Sequence, residues 1–257
     1  MTTAPGLPFD VALIERLRAG RSIAVLTGAG ISAESGVPTF RDAQAGLWAK
    51  FDPRELATPS AFARNPKLVW DWYAWRRALV ADARPNAGHR ALAALERRIP
   101  DFLLITQNVD GLHQAAGSAK VVELHGNIRR VKCSRDCGVV ASWDDAGPDE
   151  PPRCKSCGAF LRPDVVWFEE RLPPDALARA ESAAQRCDVL LVVGTSAEVH
   201  PAAALPLSAQ RCGATVVEIN PEATMLSDRA DHVLRGPAGV VLPALFDAVW
   251  PGTEAPA

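Results

Sequence analysis

Apolar residues along this chain occur in two spacings. Short unbroken runs fall at Ile23–Thr27, Phe102–Thr106, Val121–Leu124, Asp188–Val193 and Thr215–Ile219. Runs of that length, without polar alternation, predict strands buried on both faces. Between them the spacing is helical. Asp10–Ala19 puts Val11, Ile14 and Leu17 on one face, and Asn86–Arg98 turns Leu92 and Leu95 inward. Pro59–Ala83, Pro201–Arg211 and Val240–Trp250 follow the same period. Strands alternating with helices predict an α/β fold, a parallel sheet with helices on both faces. Residues 133–157 break the pattern with four Cys, several Pro and Gly and little periodicity, which predicts a small insert domain. No internal repeat is visible.

Such sheets bind ligands beyond the carboxyl ends of their strands, and the polar motifs sit there. Thr27-Gly28-Ala29-Gly30-Ile31-Ser32 follows the first strand. Glycines at that place let backbone approach a phosphate and turn sharply. The third glycine, Gly36, is out of step with G-x-G-x-x-G, and no acidic residue stands about 20 positions on, so an ordinary tight turn fits equally well. Gly36-Val37-Pro38-Thr39-Phe40-Arg41-Asp42 reads as a loop suited to a flap. Thr106-Gln107-Asn108-Val109-Asp110-Gly111-Leu112-His113 offers amides and a carboxylate for a polar ring and sugar hydroxyls. Glu123-Leu124-His125-Gly126 places a histidine at another strand end, where it can serve as a general base. A single histidine is more often structural, and His89, on a helix, reads as packing or capping.

Three residues separate Cys133 from Cys137 and two separate Cys154 from Cys157, with sixteen residues between the pairs. Four thiolates at that spacing can enclose a Zn²⁺ tetrahedrally. Two disulfides are the alternative, which a reducing compartment disfavours. A closed four-Cys site leaves no position for water, so the metal is structural. Cys187 and Cys212 flank apolar segments and read as core thiols.

Bulk properties narrow the class. The 257 residues are 48% hydrophobic, enough for a sizeable core. Twenty-eight basic residues against 30 acidic leave a net charge of -2, which argues against nucleic-acid binding. No apolar run approaches the roughly 18 residues of a membrane helix, and Met1–Asp10 lacks a secretory pattern. A cytoplasmic monomer is the expectation.

Taken together, Gly28-Ala29-Gly30-Ile31-Ser32, the 36–42 and 106–113 strings, His125-Gly126, Gly194-Thr195-Ser196 and Ile219-Asn220-Pro221-Glu222 resemble the sirtuin family, over about residues 20 to 246. The resemblance implies one catalytic unit over 1–257. A Rossmann-like NAD-binding domain spans 9–127 and 186–250. A small zinc-binding domain spans 128–170, and a helical insert over 55–85 forms the acyl pocket. NAD contacts are implied for Gly28, Ala29, Gly30, Ile31, Ser32 and Trp48, and for Phe40, Arg41 and Asp42 in a mobile flap. Gln107, Asn108, Val109 and Asp110 hold the nicotinamide and its ribose. Gly194, Thr195, Ser196, Asn220, Pro221, Glu222 and Ala238 line the adenosine side. His125 is the implied general base, with Asn108 beside it in the catalytic site.

The implied reaction joins NAD to an acyl-lysine protein substrate. The acyl oxygen attacks the ribose carbon bearing nicotinamide, which leaves. His125 helps deprotonate a ribose hydroxyl, which attacks the resulting imidate carbon. Water completes the transfer to give lysine and O-acyl-ADP-ribose. Geometry and a dry cleft carry most of the catalysis. The substrate is expected as an extended strand near Val166–Arg171 and Thr195–His200. The family commonly has Phe-Gly-Glu where this chain has Phe168-Glu169-Glu170. That change alters the backbone the peptide meets. The first Cys pair is one residue wider than is common, which reshapes only a loop.

Substrate choice points to Trp70-Asp71-Trp72-Tyr73-Ala74-Trp75-Arg76-Arg77. Tyr73 and Arg76 share a helix face. A guanidinium can fork onto a carboxylate while the phenol adds a further bond. On the residues alone, an aromatic helix in which both side chains merely pack is the stronger reading. The resemblance reverses it, because Tyr-x-x-Arg at this place looks like the sirtuins that remove succinyl, malonyl or glutaryl groups. Ala57, before Thr58-Pro59, leaves room for the longer chain. Both deacetylation and desuccinylation are expected, with acetyl-lysine bound more weakly. The competing readings are a plain deacetylase, a protein ADP-ribosyltransferase, a dehydrogenase, and a zinc-ribbon interaction module.

Overall fold

The computed structural model describes residues 9–38, 52, 56–138, 140–144 and 150–252. Phe40, Arg41, Asp42 and Trp48, expected against the cofactor, lie outside the described residues. Among the described residues, strands β1 (Ser22–Thr27), β2 (Asp101–Thr106), β3 (Val121–Glu123), β4 (Gly126–Cys133), β5 (Val140–Ser142), β6 (Leu161–Val165), β7 (Val189–Val193), β8 (Thr215–Ile219) and β9 (His232–Leu234) form two sheets. The larger has the order β3-β2-β1-β7-β8-β9, and every pair is parallel. The chain builds outward from β1 to β3, then returns to lay β7 on the other side of β1. That reversal is where an open parallel sheet leaves a crevice at its carboxyl edge.

Alternate residues of these strands feed two cores. Ile23, Val25, Leu191, Val193, Val217 and Ile219 pack on the side of helices Val11–Ala19, Ala87–Arg98 and Ala238–Val249. Ala24, Leu26, Ile105, Leu190, Val192 and Val216 pack on the side of Pro174–Arg186 and Leu205–Arg211. Both faces are covered, so the strands carry no polar alternation. Each large aliphatic side chain withdrawn from water contributes about 1.5–3 kcal/mol.

Some details correct the sequence expectations. The first helix buries Leu13 and Leu17, an i, i+4 stripe, whereas Val11 lies off that stripe and is 66% exposed. Pro59–Ala83 is two helices, Pro59–Arg64 and Pro66–Ala81. Asn65 stands between them with φ -146 and ψ 81, because a residue before proline is pushed out of the helical region. Its side chain caps the second helix by accepting from Leu68 N. Residues 202–204 form a 3₁₀ turn before the helix proper begins at Leu205. Cys212 is exposed, unlike the buried Cys187.

The insert holds an antiparallel sheet in the order β5-β4-β6, with an irregularity between Asn127 and Val131. β4 and β6 carry charges and a proline (Gly126-Asn127-Ile128-Arg129-Arg130-Val131-Lys132-Cys133; Leu161-Arg162-Pro163-Asp164-Val165), which conceals them from an apolar-run search. Among the described residues no helix is long and apolar enough to cross a membrane.

Candidate active site

The turns after β1 and β7 interlock. Gly28 N donates to Val193 O at 3.0 Å and Gly30 N to Gly194 O at 2.8 Å. Gly194 has φ +59, and a Cβ there would collide with Ile31 N. One on Gly30 would lie 2.8 Å from Gly194 Cα. Two backbones thus meet with no side chain between them, leaving a floor of peptide groups at the sheet reversal. Thr195 gathers the other strings: Gln107 Nε2 donates to its Oγ1 at 3.0 Å, and Asn220 Nδ2 to its O at 3.1 Å. Residues 29–35 form a 3₁₀ helix, in which Ile31 and Ser32 are buried. Ser196 is half-buried, Pro221 and Glu222 are exposed, and Ala238 is buried at the start of the last long helix.

Beside that floor lies a polar knot. Ser32 Oγ donates to Asp110 Oδ2 at 2.8 Å, and Asn108 Nδ2 donates to Ser32 Oγ at 3.1 Å. Leu112 N donates to Asp110 Oδ1 at 2.8 Å. Burial raises the Asp110 pKa, against the pull of Leu112 N–H and the Ser32 hydroxyl. His125 stands 2.9 Å from Gln107 O through Nδ1. A carbonyl only accepts, so Nδ1 carries the proton and the neutral ring holds its lone pair on Nε2. Burial lowers the His125 pKa, the Gln107 carbonyl opposing it, which keeps the ring a competent base at neutral pH. Gly126, at φ +79, lets the chain turn there; a Cβ would strike Asp164 O.

Under the knot lie two histidines outside the expected site. His89 completes a capping box with Asn86, and its Nε2 lies 3.4 Å from Ser32 Oγ. His113 Nε2 lies 3.0 Å from Thr27 Oγ1, which donates to Thr106 Oγ1. Both rings are almost fully buried, with centroids 4.9 Å apart. The structure bears out the expectation of a packing or capping role for His89.

The segment after β6 ties this centre to an aromatic cluster. Val166 N donates to His125 O, and Phe168 N donates to Ala57 O, each at 2.9 Å. Tyr73, Trp167, Phe62, Leu56, Ala57 and Val165 form one buried cluster, against which Val109 packs. Tyr73 stacks edge-on to Trp72 at 4.7 Å, and the Arg76 guanidinium lies 5.1 Å from the Trp72 ring. Burial pushes the Tyr73 pKa up to about 12, opposed by the positive charge of Arg76. Burial also lowers the Arg76 pKa. Tyr73 and Arg76, the pair that the resemblance singled out, sit together against an aromatic cluster. Phe168 is exposed, and the Val166 side chain packs on the opposite side, against the second core.

The helix carrying Tyr73 is fastened to the cysteine sheet. Trp70, one turn before Tyr73, is buried with Cys133, Cys154, Val131 and Leu161, and stacks on Trp143 at 4.2 Å. Arg77 pairs with Asp144 and lies over Trp143. The sulfurs of Cys133, Cys137, Cys154 and Cys157 lie within 4.8 Å of one another, with two pairs at 3.4 and 3.5 Å. A tetrahedral zinc with Zn–S near 2.3 Å separates its sulfurs by about 3.8 Å. The four thiols fit that ion, and none is in a disulfide.

Two charged networks escaped the sequence reading. Glu218, 1% exposed on β8, takes bonds from Thr224 and Ser227 and from Arg235 at 3.2 Å. Arg235 also donates to Glu222 O at 2.7 Å, so the pair braces the loop after β8. A lone acid inside Thr215-Val216-Val217-Glu218-Ile219 was the available signal. Glu123, just before His125, joins Asn127 and Arg130, and Arg130 reaches Asp164, linking the two sheets.

The Sir2 family pattern matches residues 28–201. An NAD-dependent protein deacylase of Aquifex aeolicus is 55% identical over 227 residues, which cover 88% of this chain and 94% of that protein. One of Ralstonia nicotianae is 56% identical over 232 residues, covering 90% and 93%. A solved Sir2 homologue in complex with NAD superposes with a TM-score of 0.88 at 48% identity, over 96% of each chain. A structure of Sir2 with a p53 peptide and NAD+ gives 0.82 at 32%, over 92% of this chain and 97% of that one.

Proposed function

This chain belongs to the Sir2 family, and on that premise we propose that it is an NAD-dependent protein-lysine deacylase favouring acyl groups that end in a carboxylate. The reaction consumes NAD, which supplies the ribose carbon that accepts the acyl oxygen and leaves as nicotinamide and O-acyl-ADP-ribose. The interlocked turns around Gly28, Gly30 and Gly194 seat the dinucleotide, with Asn220, Pro221, Glu222 and Ala238 toward its adenosine end. Gln107, Asn108, Val109 and Asp110 orient the nicotinamide and its ribose. His125 Nε2 takes the proton from a ribose hydroxyl, its ring held by the Gln107 carbonyl. The acyl-lysine substrate lies along 166–171 and 195–200, adding as a strand.

The catalytic unit comprises a large lobe over 9–127 and 186–250, a zinc lobe over 128–170 and a helical insert over 55–85. Zinc holds the small lobe and takes no part in the chemistry. The enzyme works as a cytoplasmic monomer without nucleic acid, and also removes acetyl groups.

One observation supports the acyl preference: Tyr73 and Arg76 side by side on the aromatic wall of a cluster that reaches Val109. A bidentate guanidinium–carboxylate contact is worth about 1.5–3 kcal/mol. Arg76→Met should therefore lower the succinyl-to-acetyl ratio of kcat/KM roughly 10- to 100-fold. The measurement is nicotinamide release from matched succinyl- and acetyl-lysine peptides. Equal loss of both activities, or retained desuccinylation, would leave a plain deacetylase.

A further inference from the structure

The cluster around Tyr73 contains a buried polar group that makes no close hydrogen bond. Trp167 is 3% exposed, and its indole Nε1 has no hydrogen-bond partner. An orphan N–H among Leu56, Ala57, Phe62 and Val165 costs about 1–3 kcal/mol.

The ring is held from several sides. Arg162 lies 3.3 Å from its centre, on the face. Arg162 is itself fixed by Glu170 and by Val165 O, and Glu170 accepts from Trp167 N at 2.8 Å. Phe62 packs at 5.3 Å and Tyr73 at 6.3 Å. So fixed, the indole cannot turn its N–H to solvent. The Tyr73 ring stands on the same side of the cluster, and Arg76 follows Tyr73 by one turn of the same helix. Phenol, guanidinium and indole therefore converge on one end of the pocket. An indole N–H only donates, so what it lacks is an acceptor. A terminal carboxylate supplies one there; the methyl of an acetyl group does not.

We propose that Trp167 is a third specificity contact of the acyl pocket, its indole N–H donating to the terminal carboxylate beside Tyr73 and Arg76. This rests on the carboxylate preference proposed above. Its charge-assisted bond would add to the guanidinium fork, while Glu170 and Arg162 act only by holding the ring.

Trp167→Phe keeps an aromatic plate over Arg162 and removes the N–H. It should lower the succinyl-to-acetyl ratio of kcat/KM roughly ten-fold. In ¹⁵N-indole spectra, the resonance missing from W167F should move downfield when a succinyl-lysine peptide is added to the wild type, and stay in place with an acetyl-lysine peptide. A role in packing alone would not move that signal selectively. Zinc content and melting temperature report on folding of the variant. If the resonance ignores both peptides, or moves alike with both, the inference falls. If W167F leaves the ratio unchanged while Arg76→Met shifts it, this contact is wrong and the carboxylate reading stands. If neither variant shifts the ratio, both fall.

Discussion

The two sheets of this molecule are held together by different means. The large one buries aliphatic side chains on both faces, so its shape follows from an extended core, and the interlocked glycine turns sit at its carboxyl edge. The small one has three strands, aromatic plates and four thiols. The first carries the interlocked turns and the strand ends beside His125, where we propose that NAD binds. The second, through the Trp70 face of the Pro66–Ala81 helix, sets where Tyr73 and Arg76 stand. The turns around Gly28 and the Tyr73–Arg76 pair thus rest on separate supports, and separate perturbations should resolve them.

Metal removal is the harshest such perturbation. Structural zinc is worth on the order of 10 kcal/mol in small zinc peptides, far more than three short strands can replace. A chelator, or Cys133→Ser, should strip hydrogen-exchange protection from β4 and β6 while sparing β1 and β7. Turnover of either acyl peptide should fall at least about 100-fold, because Trp70 and hence Tyr73 lose their backing. Uniform loss of protection across both sheets would show that the two supports are one.

The same contrast explains what could be read from the sequence. Strands β1, β2, β7 and β8 were legible because two-sided burial writes an unbroken apolar run. The cysteines were legible because metal geometry constrains spacing. β4 and β6 were not, since Arg129, Arg130 and Lys132 are the less buried positions of β4, and on β6 the buried Arg162 and half-buried Asp164 are paired with Glu170 and Arg130. Among site residues, the strings around Gly28, Asn108 and His125 converge as expected. Trp167, Glu218 and Arg235 went unread, because their roles come from contacts between residues distant in the chain. The resemblance named the acyl pair, but only the packed structure shows the indole beside it.

Acid should act next, and on the large lobe. Burial holds the His89 pKa down at about 4 and the His113 pKa at about 3. Their bonding agrees: Asn86 N donates to His89 Nδ1, and His113 Nδ1 has no partner, so a second ring proton has no acceptor at either site. The unfolded chain takes those protons near pH 6.5 and the folded chain refuses them. Stability is therefore full above about pH 6.5 and declines as pH falls toward 4. At pH 5 each histidine contributes a loss of about 2 kcal/mol. Unfolding free energies from urea titrations at pH 7.5 and 5.0 should differ by roughly 2–4 kcal/mol, before most carboxylates titrate. His113→Asn should flatten the dependence. An unchanged midpoint would mean these rings are already charged in the folded state.

The gentlest test falls on the small lobe, at the position where the family's usual glycine is replaced. Glu169 is exposed and has φ +71, in the left-handed region that favours glycine. A side chain there costs roughly 1–2 kcal/mol, and glycine returns about 0.5–1 kcal/mol of that as unfolded-state entropy. The neighbours do not depend on the Glu169 side chain: Phe168 N holds Ala57 O, and Glu170 holds Arg162. Glu169→Gly should therefore raise stability by about 0.5–1 kcal/mol, or about 1–4 °C in Tm. Because 166–168 keeps its bonds to His125 and Ala57, kcat/KM for either peptide should change less than about two-fold. A larger loss of activity would mean that the Glu169 side chain itself meets the substrate, and that the small lobe chooses by charge at its rim as well as at the end of the acyl pocket.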